Sequence, residues 1–439
     1  MAFLICLTLH AFLKGPIISS PNLNHSIRIR HIMFTKERLL LLTLAAVQFT
    51  NIMDFMIVMP LAPQLMRLFG ITPQQFALIV SSYTISAGIT GFFGAFFIDK
   101  FDRKTTLLTA YIGFTIGTLA CAFAPNYAFL LSARILTGMF GGVIGAIVLS
   151  IVGDAVPIER RGAAMGVVMA SFSLASVFGV PVGLYLATLW SWHAPFFFLA
   201  GIAALACVVI FFVVPNMRGH ITKKHTNPFN ILANIAGNRS QLFALLLMFL
   251  LMIGQFGVLP FISKYMVANV GFTEKQLTYI YIFGGAATIF TSPLVGKLAD
   301  RFGNKRIFAI FIIISFIPLF LITNMPKIAI GWVLLVTTVF FVTSGGRMIP
   351  ATTMITATVS PQNRGSFMSI NSSVQHISAG VGSFIGGSIV TEGIDGKLQN
   401  FPVVGYIAIV TSLIAIAVSS QLKMQGNQHM SIEKMPEAA

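Results

Sequence analysis

Twelve apolar runs of about twenty residues, separated by short polar turns, set the terms on which this chain can fold. They lie at 39–60, 76–98, 106–124, 128–150, 164–187, 195–215, 242–266, 276–297, 307–324, 328–351, 366–391 and 402–422. A bilayer core takes roughly 20 apolar residues per helical crossing, and a helix of about 22 residues is about 33 Å long. Helix is forced, because open sheet edges stay unsatisfied in lipid and barrel strands are shorter and alternate in polarity. The fold class that follows is an all-α polytopic membrane protein with twelve transmembrane helices. Charged residues are 9% of the chain, against about 25% in a soluble domain, so a soluble fold could not cover the apolar remainder.

A net charge of +16 would suit nucleic acid, but the placement of the bases excludes that partner. Of 28 Lys and Arg, 21 fall in the two terminal segments and in alternate turns. The other turns hold five: Arg67, Lys264, Lys275, Lys327 and Lys397. Arg134 and Arg347 lie inside runs. The positive-inside rule then places both termini in the cytoplasm of a cell whose cytoplasmic (inner) membrane holds the protein.

Residues 1–35 form an N-terminal extension. Met1–Leu13 is apolar but too short to span, and Arg28, Arg30 and His31 follow it and precede Met33. A signal peptide carries its charge before the apolar stretch, not after it. The expectation is that Met33 is the native start, which intact mass would check. A first six-helix bundle covers 36–215. A cytoplasmic linker at 216–241 carries Arg218, Lys223, Lys224 and Arg239, a second bundle covers 242–422, and 423–439 is a polar cytoplasmic tail.

The two halves repeat one another. Gly296-Lys297-Leu298-Ala299-Asp300-Arg301-Phe302-Gly303-Asn304-Lys305-Arg306 follows the second run of the second half. A weaker copy, Ala95-Phe96-Phe97-Ile98-Asp99-Lys100-Phe101-Asp102-Arg103-Lys104, follows the second run of the first. Asp99 and Asp300 are 201 residues apart, and Arg161-Gly162 precedes Arg364-Gly365 by 203. The same spacing of 203 relates Gly179 to Gly382 and Gly183 to Gly386. Matching glycines in matching runs indicate parallel repeats about an axis normal to the membrane.

The stretch GKLADRFGNK resembles the loop between the second and third helices of the major facilitator superfamily, G-x-L-a-D-r-x-G-r-k. In the first copy Ala95 replaces the leading glycine and Asp102 the second one, where Asp tolerates left-handed backbone better than most residues. The resemblance runs from about Phe34 to Leu422. It implies two pseudo-symmetric six-helix bundles that rock between inward-open and outward-open states. It also implies that Asp99, Lys100, Arg103, Arg161, Gly296, Asp300, Arg301, Gly303 and Arg364 form conformational latches. Asp at a helix end can accept from a neighbouring helix start or pair with the arginines of adjacent turns.

Asp54 stands alone as a charge in the run 39–60, and an acid there costs about 2.5–3.5 kcal/mol on insertion scales, so it should face a cavity and act. It is a candidate for proton exchange. The plainer reading is a structural acid paired with a base or bonded to Gln48 and Asn51. Arg134 opens Arg134-Ile135-Leu136-Thr137-Gly138-Met139-Phe140-Gly141-Gly142, which resembles the fourth-helix pattern R-x-x-q-G-x-g-a-a of proton-coupled members of the superfamily. Thr137 replaces the glutamine and Phe140 a small residue. The resemblance gives Arg134 a part in proton transfer; otherwise it snorkels to the outer surface. Each group lies six residues from the outer end of its run, about 9 Å deep, and the family's first and fourth helices are neighbours, so the two should approach each other.

Further cavity candidates are Asn51, Gln255, Arg347, Asn371, Gln375 and His376. Arg347 either meets an anionic group of the substrate or snorkels to the cytoplasmic surface. His376, among Asn371, Ser372, Ser373 and Gln375, is a cavity ligand or proton carrier, or a satisfied packing histidine. Gly179, Pro181 and Gly183 in the fifth run, and Gly382 and Gly386 in the eleventh, are small surfaces for close helix approach. The fifth-run set resembles, imperfectly, the g-x-x-x-G-P-x-x-G-G pattern of proton-coupled exporters. Cys6, Cys121 and Cys207 have no metal spacing, and no phosphate loop is present, so neither a metal, a cofactor nor ATP is expected.

The resemblance is closest to twelve-helix drug:proton antiporters and related sugar-efflux proteins. It implies a non-enzymatic secondary transporter, acting as a monomer, that exchanges protons for small, lipophilic or drug-like molecules. A proton-coupled transporter of a sugar or other metabolite, by efflux or uptake, is the alternative. A receptor would add a signalling domain, and an intramembrane enzyme would need a clustered nucleophile, base and metal set; the sequence offers neither.

Overall fold

The computed structural model describes residues 23–97, 100–218, 228–360 and 364–422. Met1–Leu13, Cys6, Asp99, Lys223, Lys224 and the tail from 423 lie outside the described residues. The first half holds α1 (Leu23–Ile57), α2 (Pro73–Phe97), α3 (Arg103–Ala122), α4 (Tyr127–Ala155), α5 (Arg160–Leu189) and α6 (Ala194–Val213). The second holds α7 (Arg239–Val270), α8 (Glu274–Phe302), α9 (Asn304–Thr323), α10 (Ile330–Ala357), α11 (Arg364–Ile389) and α12 (Phe401–Ser420). Short helices at Ala62–Phe69 and Pro228–Ala236 lie before α2 and within the linker. Before α12, the two-residue strands β1 (Thr391–Glu392) and β2 (Leu398–Gln399) pair antiparallel, a small departure from an all-helical chain.

Eleven of these helices are long and apolar enough to cross a membrane. The twelfth, α11, is 26 residues long and is the most polar of the set. Asn371, Ser372, Ser373, Gln375, His376 and Ser378 sit on it, and Asn371, Ser373 and Ser378 turn into the protein rather than toward lipid.

Two turns show how the repeated motif diverges. Gly303 separates α8 from α9 at φ 91°, a left-handed conformation in which a Cβ would be strained. Asp102, expected to take that role in the first half, does not: its φ is −57°. It caps α3 instead, accepting from Thr105 N at 3.1 Å, and its other oxygen accepts from Met217 N at 2.8 Å beyond α6. The acid uses its side chain where the glycine uses its backbone.

Alternating crossings place both ends of the described chain on one face, here the terminal face. There Arg103–Asp154 and Arg160–Glu37 pair within the first half, and Arg218 of the linker pairs with Asp102. On the opposite face the halves join, with Arg67 of the first on Glu274 of the second. Phe76 meets Phe261, Ser383 donates to Ala77 O, and a Cβ on Gly380 or Gly88 would collide with Ile85 or Ile377 across the seam. Toward the terminal face Gly145, Gly162, Gly296 and Gly365 have nothing among the described residues within 4 Å of a Cβ position.

The small surfaces read from the sequence are sites of close approach. Gly179 and Gly183 of α5 lie against Met53 and Ile57 of α1. Gly382 and Gly386 of α11 lie against Ile253 and Gly257 of α7, the corresponding pair in the second half. Pro181 follows a π turn at Ala175–Gly179, the local adjustment expected where a proline interrupts the helical ladder.

Candidate functional site

Residues 50–55 of α1 reach five other helices between them. Thr50 shares a 2.6 Å hydrogen bond with Tyr111 of α3. Asn51 donates to Gly141 O of α4 and accepts from Tyr83 of α2 at 3.0 Å. Met53 packs on Gly179 of α5. Asp54 turns toward α3 and α4, and Phe55 toward Phe256 of α7. A residue advances 100° around a helix, so a short stretch surrounded on all sides must carry an acceptor, an apolar group and an acid at fixed positions.

Asp54 and Arg134 form an ion pair of 2.6 Å, with neither side chain exposed. The same guanidinium nitrogen, Nη1, also donates to the Asp54 backbone carbonyl at 3.3 Å. The second carboxylate oxygen accepts from Thr118 at 3.1 Å. Asp54 bonds to neither Gln48 nor Asn51, and Arg134 does not snorkel. Arg134 Nε and Nη2 have no hydrogen-bond partner among the described residues, but the guanidinium lies 4.2 Å over the Tyr83 ring. That cation–π contact offsets part of the desolvation of the unpaired N–H groups.

The glycines after Arg134 make the contact possible. Gly138 and Gly141 fall on its face of α4, at i+4 and i+7. A Cβ on Gly138 would overlap Tyr83 O and Ser86, and one on Gly141 would sit 2.7 Å from the Tyr83 hydroxyl. A Cβ on Gly142 would overlap the Ala87 carbonyl. Without side chains there, α4 lies close on α2 and brings Arg134 under the Tyr83 ring.

The other predicted residues are dispersed. Arg347 is 1% exposed, so of its two alternatives it does not take the one that reaches the cytoplasmic surface. It turns into the second bundle, donates to Ser412 of α12 at 3.1 Å, and leaves Nε without a partner. Gln255 Oε1 and Asn371 Oδ1 are also buried without a hydrogen-bond partner among the described residues. Gln375 and His376 are half-buried on α11. Among the latch residues, Arg103 pairs with Asp154 at 3.0 Å and Arg161 Nη2 reaches Val156 O at 3.5 Å. Lys100, Asp300, Arg301 and Arg364 are exposed, and Asp300 and Arg364 form no pair with each other in this state. Tyr83, Thr118, Asp154, Gln64 and Glu274 were not singled out from the sequence. Tyr83, an aromatic among Ser81, Ser82, Thr84 and Ser86, carried the clearest signal.

The family model for the Major Facilitator Superfamily matches residues 44–285 and 244–423. The chain belongs to this superfamily. Among superfamily members of Bacillus subtilis (strain 168), the MFS-type transporter YwfA is 28% identical over 427 residues, covering 93% of this chain and 99% of that protein. Multidrug resistance protein 2 of the same organism is 25% identical, covering 75% and 84%. A bacterial homolog of the human lysosomal transporter Spinster, solved inward-facing and unoccupied, superposes with a TM-score of 0.69 at 15% identity over 92% of this chain and 99% of its own. That likeness establishes the major facilitator fold. The chain is thus a multi-pass membrane transporter of the superfamily and not an enzyme.

Proposed function

We propose that the chain is a proton-coupled antiporter that exports small, lipophilic or drug-like molecules by alternating access. The observation that carries the reading is the Asp54–Arg134 pair, an acid and a base sealed together in the membrane part of the first bundle. Neutralising Asp54 removes its attraction for Arg134 and leaves a buried guanidinium without a counter-charge, a change large enough to bias a two-state molecule. With both termini cytoplasmic, the face at which Arg67 meets Glu274 is the outer one. Protonation from outside would compete with substrate, and proton release inside would reset the cycle. The name of the Bacillus subtilis multidrug resistance relative supports a drug-like substrate. Asp99 and the latch residues of both loops are proposed to bias which face is open.

The test is internal pH in proteoliposomes given a panel of lipophilic cations, sugars and organic anions, with Asp54→Asn alongside. Substrate-dependent proton movement lost in the variant is the expected result. Movement unchanged in Asp54→Asn would move coupling elsewhere, with His376 next to be tested. A response only to sugars or another metabolite would favour the metabolite-transport alternative.

A further inference from the structure

The ion pair of the first bundle is covered by a ring from the second. Arg134 lies under Tyr83; Tyr83 stacks on Phe55 at 5.6 Å and 19°; Phe55 meets Phe256 of α7 at 5.6 Å and 36°. Phe256 is 8% exposed. The inner members of this stack are fixed within the first half, since the Tyr83 hydroxyl donates to Asn51, which is tied to Gly141 of α4. The outermost member belongs to the other half and moves with it. The two ring contacts that cross the seam among the described residues are Phe55–Phe256 and Phe76–Phe261, and the first alone leads to the buried charges.

We propose that Phe256 is a positioning residue that seals the Asp54–Arg134 pair from water while the halves are joined at the opposite face. Excluding water on that side strengthens the pair by lowering the local dielectric and bars protons of the opposite face from the carboxylate. When the halves part at that face, Phe256 withdraws with α7 and Phe55 loses its cover. Water then reaches Asp54 from the newly opened side. Access of protons to Asp54 is thereby tied to domain position by a contact that carries no charge. The inference rests on the coupling role proposed for Asp54, but the seal itself can be measured without transport.

The experiment is modification of Asp54 in proteoliposomes by a water-soluble carbodiimide with an amine nucleophile, followed by peptide mass and without added substrate. Wild-type Asp54 should react slowly. Phe256→Ala should raise the rate by roughly three- to ten-fold, the shift expected from losing one aromatic contact. Phe256→Tyr should restore the slow rate. Phe76→Ala, which loosens the same seam at a contact roughly 10 Å further along α2, should leave it slow. If Phe256→Ala reacts at the wild-type rate, or Phe76→Ala accelerates labelling equally, the seal is not at Phe256. Phe256→Leu gives a milder variant should the alanine form fold poorly, and it should lie between the two. Loss of the coupling reading in the Asp54→Asn assay would leave these labelling outcomes intact, so the two failures are separable.

Discussion

Arg67 and Glu274 meet at 2.8 Å across the two halves, and the same carboxylate accepts from Gln64 at 2.7 Å through its other oxygen. One short helix of the first half thus holds both oxygens at the start of α8. The two contacts differ in weight. The Arg67 side chain is 64% exposed, so its pair with Glu274 should contribute only about 0.2–1 kcal/mol. Gln64 is buried, and a hydrogen bond to a charged acceptor contributes about 1.5–3 kcal/mol. Gln64→Ala should therefore favour opening of this face more than Arg67→Ala, and Glu274→Ala more than either. Distances between spin labels at Leu68 and Lys275 would read the populations; a larger effect from Arg67→Ala would reverse the assignment.

Asp54→Asn should lose proton coupling and stability together. It leaves the Arg134 charge buried and uncompensated, a cost of about 3–5 kcal/mol for a broken buried pair. The double variant Asp54→Asn/Arg134→Gln removes both charges and should regain most of that loss while remaining uncoupled. Thermal midpoints in detergent, set beside proton flux, check the prediction. A double variant less stable than Asp54→Asn would show that the pair is not the main term.

The helices and the two-fold repeat were legible because lipid imposes a length and a polarity on every crossing. Asp54 and Arg134 were legible because charges are rare in such runs and both lie at the same depth. Tyr83, Thr118 and Phe256 were not, since whether a hydroxyl or ring faces lipid or a neighbouring helix depends on rotations fixed by glycines on other helices. Arg347 was left between two readings for the same reason: its depth allowed snorkelling, while its position around α10 directs it to Ser412. Asp102 was read through its backbone, although its side chain does the capping.

Close approach of α4 and α2 gives the third prediction. Gly142→Ala puts a methyl group into the Ala87 carbonyl, where backbone rather than a flexible side chain must yield. Overpacking of this kind costs about 1–3 kcal/mol and should also displace Tyr83 from Arg134. Gly201→Ala on α6, with nothing within 4 Å, should be neutral or slightly stabilising by helix propensity. Thermal midpoints of the two variants, measured side by side, test the helix packing directly; equal losses would contradict it.

Arg347 offers the sharpest separation of stability from function. Among the described residues it has no ion pair, one hydrogen bond from Nη1 to Ser412, and an Nε with no partner. A buried cation so poorly compensated is a net cost to the fold, and replacing buried charges with apolar groups of similar volume often stabilises by about 1–4 kcal/mol. Arg347→Met should therefore raise the thermal midpoint. If the residue is retained because it meets an anionic group during transport, the same variant should lose exchange of the organic anions in the panel and keep that of lipophilic cations. A lower midpoint would mean that Arg347 supports the bundle through contacts with its aliphatic stem. A higher midpoint with all transport intact would remove it from the substrate path.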